Sequence, residues 1–452
     1  KRSLPRLRAI IADSRARLIL TSDCQKGLVE QAFDVGVDQS DAMLSVVSTT
    51  FEAVPAASES TAGDSLSPPR TAKIAYLQYT SGSTGDPKGV EITHDCLVHH
   101  CRALTNAWGY SESSVSVTWM PHFHDYGLID GLLMPFFNRT PCYILSPVGF
   151  IKRPYRWLQA LSQLGGTHTQ APNFAYAYCS AKIKPGQVAG LDLSKVEVFS
   201  NGAEPVREKT LSQFFDTFKE CGLRRTALFP AYGLAEATLV VSTKVRLQDP
   251  RTISVDKASF DLDGRINVIK SGKGKDIVSC GKPLSGTEVK IVDPEALVEL
   301  NAREIGEIWV RSVANAIGYW NRPDETQEIF QARISGVANS EKYLRTGDLG
   351  FIYEGELYPT GRIKDLLILN GANIFPQDIE ELISTSIHEI RDGATAAFAD
   401  SREDTDELVF MAEIKRREHA NAETAAKIYS LISQELQFPP AAIVLIKKGS
   451  IQ

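Results

Sequence analysis

The hydrophobic positions of this chain fall into two rhythms. Residues 3–11 place Leu4, Leu7, Ile10 and Ile11 at helical spacing, and residues 16–21 (Ala-Arg-Leu-Ile-Leu-Thr) read as a strand. A polar stretch rich in Ser, Pro, Ala and Gly follows over about 48–70 and predicts a linker or surface loop. From Ile74 to about Val245, short apolar runs alternate with helix-like segments. Strands are expected over 115–120, 141–146, 196–200 and 227–229, and helices over 154–164 and 207–221. That alternation predicts the α/β class with a largely parallel sheet.

The texture then changes. Residues 246–278 are polar and rich in Lys and Gly, with one ragged alternation over 264–269. Longer strands over 289–292 and 306–311 predict a more antiparallel β subdomain. After Gly361 the pattern predicts a small α+β unit. Its first helix, over 376–390, carries Ile379, Leu382, Ile383, Ile387 and Ile390 on one face. Strands over 394–399 and 408–414, a helix through Ile428 and Leu436, and a strand over 442–446 complete it. The expected division is a large N-terminal domain, 1–360, and a C-terminal domain, 361–452.

Composition narrows the classes. With 43% hydrophobic and 23% charged residues the chain is neither disordered nor fibrous, and 452 residues suffice for about two to four structural units. Its formal charge, 49 − 55 = −6, offers no basic field for nucleic acid. Seven scattered cysteines without a Cys-x-x-Cys pair point to reduced thiols, as in the cytoplasm, rather than disulfides or zinc. No apolar run reaches the ~20 residues of a membrane span. The first residue is Lys1, within a helical pattern, so the sequence is expected to be part of a longer chain.

Tyr79-Thr-Ser-Gly-Ser-Thr-Gly-Asp-Pro-Lys-Gly89 carries the strongest chemical signal. Gly82, Gly85 and Gly89 free the backbone for tight turns, so successive N–H groups can converge on an anion. Thr80, Ser81, Ser83 and Thr84 add hydroxyls, and Lys88 adds a cation. Such a loop suits phosphate, although the Walker A spacing is absent. By itself it also reads as an ordinary Ser/Gly surface loop.

The whole string resembles the phosphate loop of the adenylate-forming superfamily: acyl-CoA synthetases, luciferases, nonribosomal adenylation domains and fatty acyl-AMP ligases. Four further segments are similar to family motifs in the same order. Asn201-Gly202-Ala203-Glu204-Pro205 resembles the adenine-contacting segment, and Ala231-Tyr232-Gly233-Leu-Ala-Glu236-Ala-Thr238 the one that follows it. The segment 343–350 resembles the ribose-holding one, with Asp348 as acceptor of the diol. Gly361-Arg362-Ile-Lys364-Asp365, with Asn370-Gly371, resembles the hinge of a mobile C-terminal domain, with Lys364 as its pivot.

The resemblance implies ATP and Mg²⁺ as cofactors. It gives Glu236 as the metal ligand, Tyr232 as a platform for adenine, and Arg362 as a cation near ribose or phosphate. Taken alone these residues also read as a helix-capping carboxylate, a core aromatic and a surface ion-pair partner. Asp348 alone reads as a turn residue.

Pro121-His-Phe-His-Asp-Tyr-Gly-Leu-Ile129 holds two histidines at i and i+2 beside Asp125, without a third ligand cluster to make a metal site. It resembles the F-H-D-x-G-L segment of long-chain acyl-adenylating enzymes. There His124 would stand where the acyl and nucleotide pockets meet, and Asp125 would face the nucleotide. A fatty carboxylate is already ionised at neutral pH, so no general base is needed. Lys88, His124 and Glu236 are accordingly the candidate catalytic residues, acting by positioning and charge neutralisation.

Three details resemble fatty acyl-AMP ligases more than acyl-CoA synthetases: Ala235 before Glu236, His124-Asp125-Tyr-Gly-Leu128, and Ala171-Pro-Asn-Phe-Ala-Tyr176. The segment 246–277 also sits where those ligases carry an insertion that restrains the C-terminal domain; a neutral surface hairpin is the plainer alternative. Ile253, Val255, Phe260, Leu262, Ile266, Val268 and Ile269 are expected to dock on a neighbouring surface. One departure is that the family's final Gly-Lys motif does not appear before Gln452, and neither Lys447 nor Lys448 takes its place.

The resemblance thus implies activation of a fatty acid to acyl-adenylate with pyrophosphate release. Transfer would follow to an acyl carrier protein or polyketide synthase, in a cytoplasmic enzyme acting as a monomer. Fatty acyl-CoA synthetase and a non-catalytic nucleotide-binding module are the alternatives. Leu128, Ile129, Phe174 and Phe199 are acyl-pocket candidates that serve equally well as core.

Overall fold

Five parallel strands, flanked on one side by antiparallel ones, form the central sheet. In spatial order they are Lys282–Pro283, Val240–Thr243, Leu228–Gly233, Val198–Asn201, His168–Ala171, Ser116–Thr118 and Cys142–Ile144. All pairings from Leu228–Gly233 to Cys142–Ile144 are parallel, as the α/β alternation predicts; the pairings of Val240–Thr243 are antiparallel. The computed structural model describes residues 4–33, 45–48, 73–80, 87–270, 274–369, 372–402, 405–436 and 438–451. All but one residue of the expected linker 48–70 lies outside them, as do residues 81–86 of the phosphate loop and Asn370-Gly371.

Aromatic side chains fill the layer between sheet and helices. Trp157, Tyr176, Phe199 and Phe214 are fully buried and meet edge to face, Tyr176 and Phe214 with ring centroids 5.0 Å apart. Ile129 is buried in this core, whereas Phe174 is 44% exposed.

One strand of this sheet carries no apolar signature. His168–Ala171 reads His-Thr-Gln-Ala, yet every residue is buried. Each polar group has a partner: His168 Nε2 meets the Trp108 carbonyl at 3.1 Å, Thr169 donates to the Val117 carbonyl at 2.6 Å, and Gln170 donates to Thr118 Oγ1 at 2.9 Å. Burial is tolerated because nothing is left unpaired.

A second sheet is antiparallel throughout: Thr287–Val292, Gly306–Ser312, Leu344–Tyr353 and Glu356–Arg362. The last three-stranded sheet pairs Ile390–Arg402 with Thr405–Ile414 and then Ala442–Ile446. The helices Pro376–Ser386 and Ala422–Leu436 cover it with Ile379, Ile383, Ile428 and Ile432. The first of these helices stops four residues earlier than its periodicity predicts. Ile387 turns to extended backbone (φ −113°), and Ile387 and Ile390 join the same core from the connection and the next strand.

The segment 246–277 is folded. Thr252–Asp256 pairs antiparallel with Gly274–Val278, and the helix Lys257–Asp263 lies between them in sequence. Ile253, Val255, Phe260, Ile266 and Ile277 share one apolar cluster with Leu349, Phe351, Tyr358 and Phe375, with Val268 packed against it. Two residues depart from expectation. Leu262 is 60% exposed, on the outer face of its short helix, and Ile269 is half-buried outside the cluster. Among the described residues, no helix is long and apolar enough to cross a membrane.

Candidate active site

The C-terminal ends of the parallel strands bring the sequence motifs together, as open α/β sheets do with ligand sites. Val198–Asn201 ends on Asn201 and leads into Gly202, Ala203 and Glu204. Leu228–Gly233 presents Ala231, Tyr232 and Gly233 next to it. Gly233 has no alternative there, because a Cβ would stand 1.7 Å from the Leu239 carbonyl oxygen. Two non-glycine residues are held at positive φ in these segments, Ala203 at 67° and Thr238 at 69°. Thr238 is β-branched, so this is a strained position. Its hydroxyl donates to the Ala314 carbonyl, in the turn that follows the strand Gly306–Ser312.

Asp348 joins the two sheets. Its Oδ2 accepts from the Tyr232 hydroxyl at 2.8 Å, and its Oδ1 lies 3.3 Å from Arg362 Nε, its partner in strand register. The carboxylate is 14% exposed, and burial pushes its pKa up to about 6 against the opposing pull of Arg362 and Tyr232. A buried acceptor with one oxygen on a phenol and the other on a mostly exposed guanidinium suits a diol ligand.

The phosphate end differs from expectation in one respect. Lys88 is the first residue of the strand Lys88–Thr93, paired to Ile74–Thr80 with Thr80 opposite it, and does not lie in a free loop. Its ammonium pairs with Glu325 and stands 5.2 Å from the ring centre of Tyr319. The Tyr319 hydroxyl donates to Glu236 Oε1 at 2.8 Å. Burial raises the Glu236 carboxyl above its ordinary range, Tyr319 lowers it, Asp125 raises it further and Arg362 lowers it. Glu236 therefore lies within electrostatic reach of both Asp125 and Arg362. Ser81, Gly82, Ser83, Thr84 and Gly85 are outside the described residues.

His124 and Asp125 follow the strand Ser116–Thr118. His124 Nδ1 is 2.5 Å from Asp125 Oδ1, and this contact raises the imidazole's pKa against the effect of burial. Asp125 also accepts from the Tyr126 N–H at 2.6 Å and so begins a π-helix, Tyr126–Leu133, an element that nothing in the hydrophobic spacing indicates. Such π turns recur beside functional sites.

Two predicted residues have structural partners. Glu204 accepts from the backbone N–H of Phe174 and so caps the helix Asn173–Lys182. Asn201 donates to Asn173 Oδ1 at 3.3 Å, while its own buried Oδ1 has no partner. Lys364 is exposed in the single turn Ile363–Asp365 between the second sheet and the C-terminal elements. Sequence reasoning passed over Tyr319 and Glu325; the string Gly318-Tyr-Trp-Asn-Arg-Pro-Asp-Glu-Thr326 was the available signal.

Among the described residues no group of three or more His, Cys, Asp or Glu side chains gathers to hold a metal. Glu236 alone fits Mg²⁺, which commonly takes one or two protein carboxylates and completes its shell with phosphate and water. The unpartnered Asn201 oxygen and the buried Asp348 carboxylate are acceptors of the kind a nucleoside would fill. A surface cavity of about 530 Å³, lined by Lys152, Arg153, Arg156 and Tyr178, shares no residue with this cluster. The site is therefore defined by its side chains.

Comparison with known proteins identifies the family. Residues 3–320 match the model of the AMP-binding enzyme family. The medium-chain-fatty-acid–[acyl-carrier-protein] ligase JamA of Moorena producens is 41% identical over 459 residues, covering 100% of this chain and 76% of that protein. This chain spans 76% of the length of JamA and 54% of that of the medium-chain-fatty-acid–[acyl-carrier-protein] ligase TtuA of Teredinibacter turnerae, which is 38% identical over 347 residues. A structure from a study of E. coli and L. pneumophila fatty acyl-adenylate ligases superposes with a TM-score of 0.86 at 30% identity, covering 99% of this chain and 78% of that one. The L. pneumophila fatty acyl-adenylate ligase in complex with acyl adenylate and pyrophosphate gives 0.72 at 34%, covering 99% and 77%. The chain belongs to the AMP-binding enzyme family and, within it, to the fatty acyl-AMP ligases.

Proposed function

We propose that this protein condenses a fatty acid with ATP, releases pyrophosphate, and passes the acyl group to the thiol of an acyl carrier protein in a lipid or polyketide pathway. The observation that carries the reading is the convergence of Asp348, Tyr232 and Arg362 with Glu236, Tyr319 and Lys88 at one end of the parallel sheet. In adenylation, a carboxylate oxygen forms a bond to the α-phosphorus while the bond from that phosphorus to the bridging oxygen breaks. No proton needs to move. Lys88 offsets charge gathering on the phosphates, Asp348 fixes the ribose, and Glu236 would hold Mg²⁺, which when bound would supply further charge neutralisation. In transfer, the carrier's sulfur forms a thioester with the acyl carbon, AMP leaves, and the thiol proton is given up. His124, beside Asp125, stands where the two pockets are expected to meet.

The division into 1–360 and 361–452, with Lys364 as pivot, belongs to the same proposal. The C-terminal unit would turn between the two half-reactions. Medium-chain acids are the first substrates to try, because JamA is named for them. The test is fatty-acid-dependent ATP–pyrophosphate exchange, followed by acyl capture with carrier protein or CoA. Exchange with capture by carrier protein supports the proposal. Efficient capture by CoA would make the protein an acyl-CoA synthetase, and absence of exchange would remove the enzymatic reading.

A further inference from the structure

Lys88 and Glu236 are 148 residues apart in sequence, and a single side chain touches both. Tyr319 donates its hydroxyl to Glu236 Oε1 at 2.8 Å and turns its ring face to the ammonium of Lys88, 5.2 Å from the ring centre. We propose that Tyr319 is a positioning residue for adenylation, its hydroxyl aiming the Glu236 carboxylate at the divalent cation and its ring aiming Lys88 at the phosphates. This rests on the functional reading above and extends it to a residue that reading does not use.

The backbone around Tyr319 is fixed from both sides. Glu91 N–H donates to the Gly318 carbonyl at 2.9 Å and Trp320 N–H to the Gly89 carbonyl at 2.8 Å, so the segment lies along the strand that begins at Lys88. On the other side Ala316 N–H donates to the Glu236 carbonyl at 2.8 Å. Tyr319 N–H itself donates to Thr326 Oγ1 at 2.9 Å, a contact that requires glycine before it, since a Cβ at 318 would meet Thr326 Cγ2 at 2.5 Å. The ring is held edge to face by Phe330, centroids 5.1 Å apart.

A residue needed only for packing would be served as well by phenylalanine. The hydroxyl is what distinguishes the two roles. Donating to one carboxylate oxygen restrains the carboxylate and still leaves it lone pairs to offer a cation. The ring contributes separately, because a cation over an aromatic face is attracted by its quadrupole. Glu325 holds the same ammonium by charge, so Lys88 lies between a carboxylate and the Tyr319 ring.

The test separates hydroxyl from ring. In Tyr319→Phe, Mn²⁺ binding to the enzyme–ATP complex, read by electron paramagnetic resonance without fatty acid, should weaken about tenfold, the scale of one hydrogen bond to a charged group. Half-saturating Mg²⁺ in pyrophosphate exchange should rise in parallel, with KM for ATP at saturating metal within about twofold of the parent. Tyr319→Leu should in addition raise KM for ATP by roughly tenfold, because Lys88 loses its ring face. Metal affinity and Mg²⁺ requirement unchanged in a folded Tyr319→Phe protein would reduce Tyr319 to a packing residue, whatever the Leu variant does. If the parent shows no fatty-acid-dependent exchange while Tyr319→Phe still weakens Mn²⁺ binding, the functional reading fails and the aiming of Glu236 at the divalent cation stands.

Discussion

Phe260 and Phe375 pack ring to ring, with centroids 5.7 Å apart, and so join the segment 246–277 to the residue that precedes the helix Pro376–Ser386. Lys275, on the second strand of the insertion, lies over both rings at 4.1 and 4.7 Å and pairs with Asp378 at 2.5 Å. Lys257 reaches Glu435 at 3.4 Å. These contacts are of the kind that biases a domain equilibrium. Removing a buried phenylalanine costs about 3–5 kcal/mol, close to the ~5.5 kcal/mol that carries a two-state balance from one extreme to the other. Phe260→Ala, or better Phe260→Ala with Lys275→Ala, should let CoA accept the acyl group while pyrophosphate exchange is kept. Acyl-CoA formation at the parent's level in the variants would mean that the insertion does not restrain that unit.

Lys88→Ala should lower the adenylation rate by roughly 10²–10³-fold, the usual cost of losing one oriented charge or donor at a reacting centre. Its pairing with Glu325 is partly exposed, so stability should change by no more than about 1 kcal/mol. Exchange kinetics and a thermal melt together check this. A rate loss accompanied by a large drop in melting temperature would point to structure instead of chemistry.

Burial raises the Asp348 pKa from 3.8 in the free side chain to about 6 in the fold. Folding thus favours its protonated form, and the stability it contributes is present at low pH and lost as pH rises toward about 6. Nucleotide binding has the opposite sense, since the carboxylate is the form that accepts from a diol. The kcat/KM for ATP should fall as pH drops through about 6. Asp348→Asn should be poor at every pH and lose that part of the acidic limb. An identical limb in both proteins would assign it to the substrates.

Lys364 sits in a one-turn helix whose preceding residue, Ile363, is also helical. Proline at 364 fixes φ and disfavours that conformation at 363. Lys364→Pro should impair transfer to carrier protein far more than adenylate formation. Separate assays of exchange and of acyl-carrier formation decide it; an equal fall in both would make Lys364 an ordinary connecting residue.

Much of the scaffold was legible because its signals are local. Periodicity in runs such as 154–164 and 442–446 comes from neighbours in sequence, and the ordered motifs carried the family. The limits have physical causes. His168–Ala171 is a central strand whose burial rests on hydrogen bonds to Trp108, Val117 and Thr118, so hydrophobic spacing had nothing to register. The π-helix after Asp125, whose first N–H that carboxylate accepts from, has no hydrophobic spacing of its own to announce it.

By itself, then, the sequence determined the α/β class, the order of the motifs and the residue types available for phosphate, ribose and metal, all of which are properties of short segments. Only the tertiary structure decided which of them meet. Tyr232 and Asp348 are joined across two sheets, Lys88 and Glu236 through the phenol of Tyr319, and the insertion to Phe375 through Phe260. Each of these contacts spans more than 80 residues of chain. No local periodicity encodes such a distance; it is set by how sheets and helices bury their apolar faces against one another.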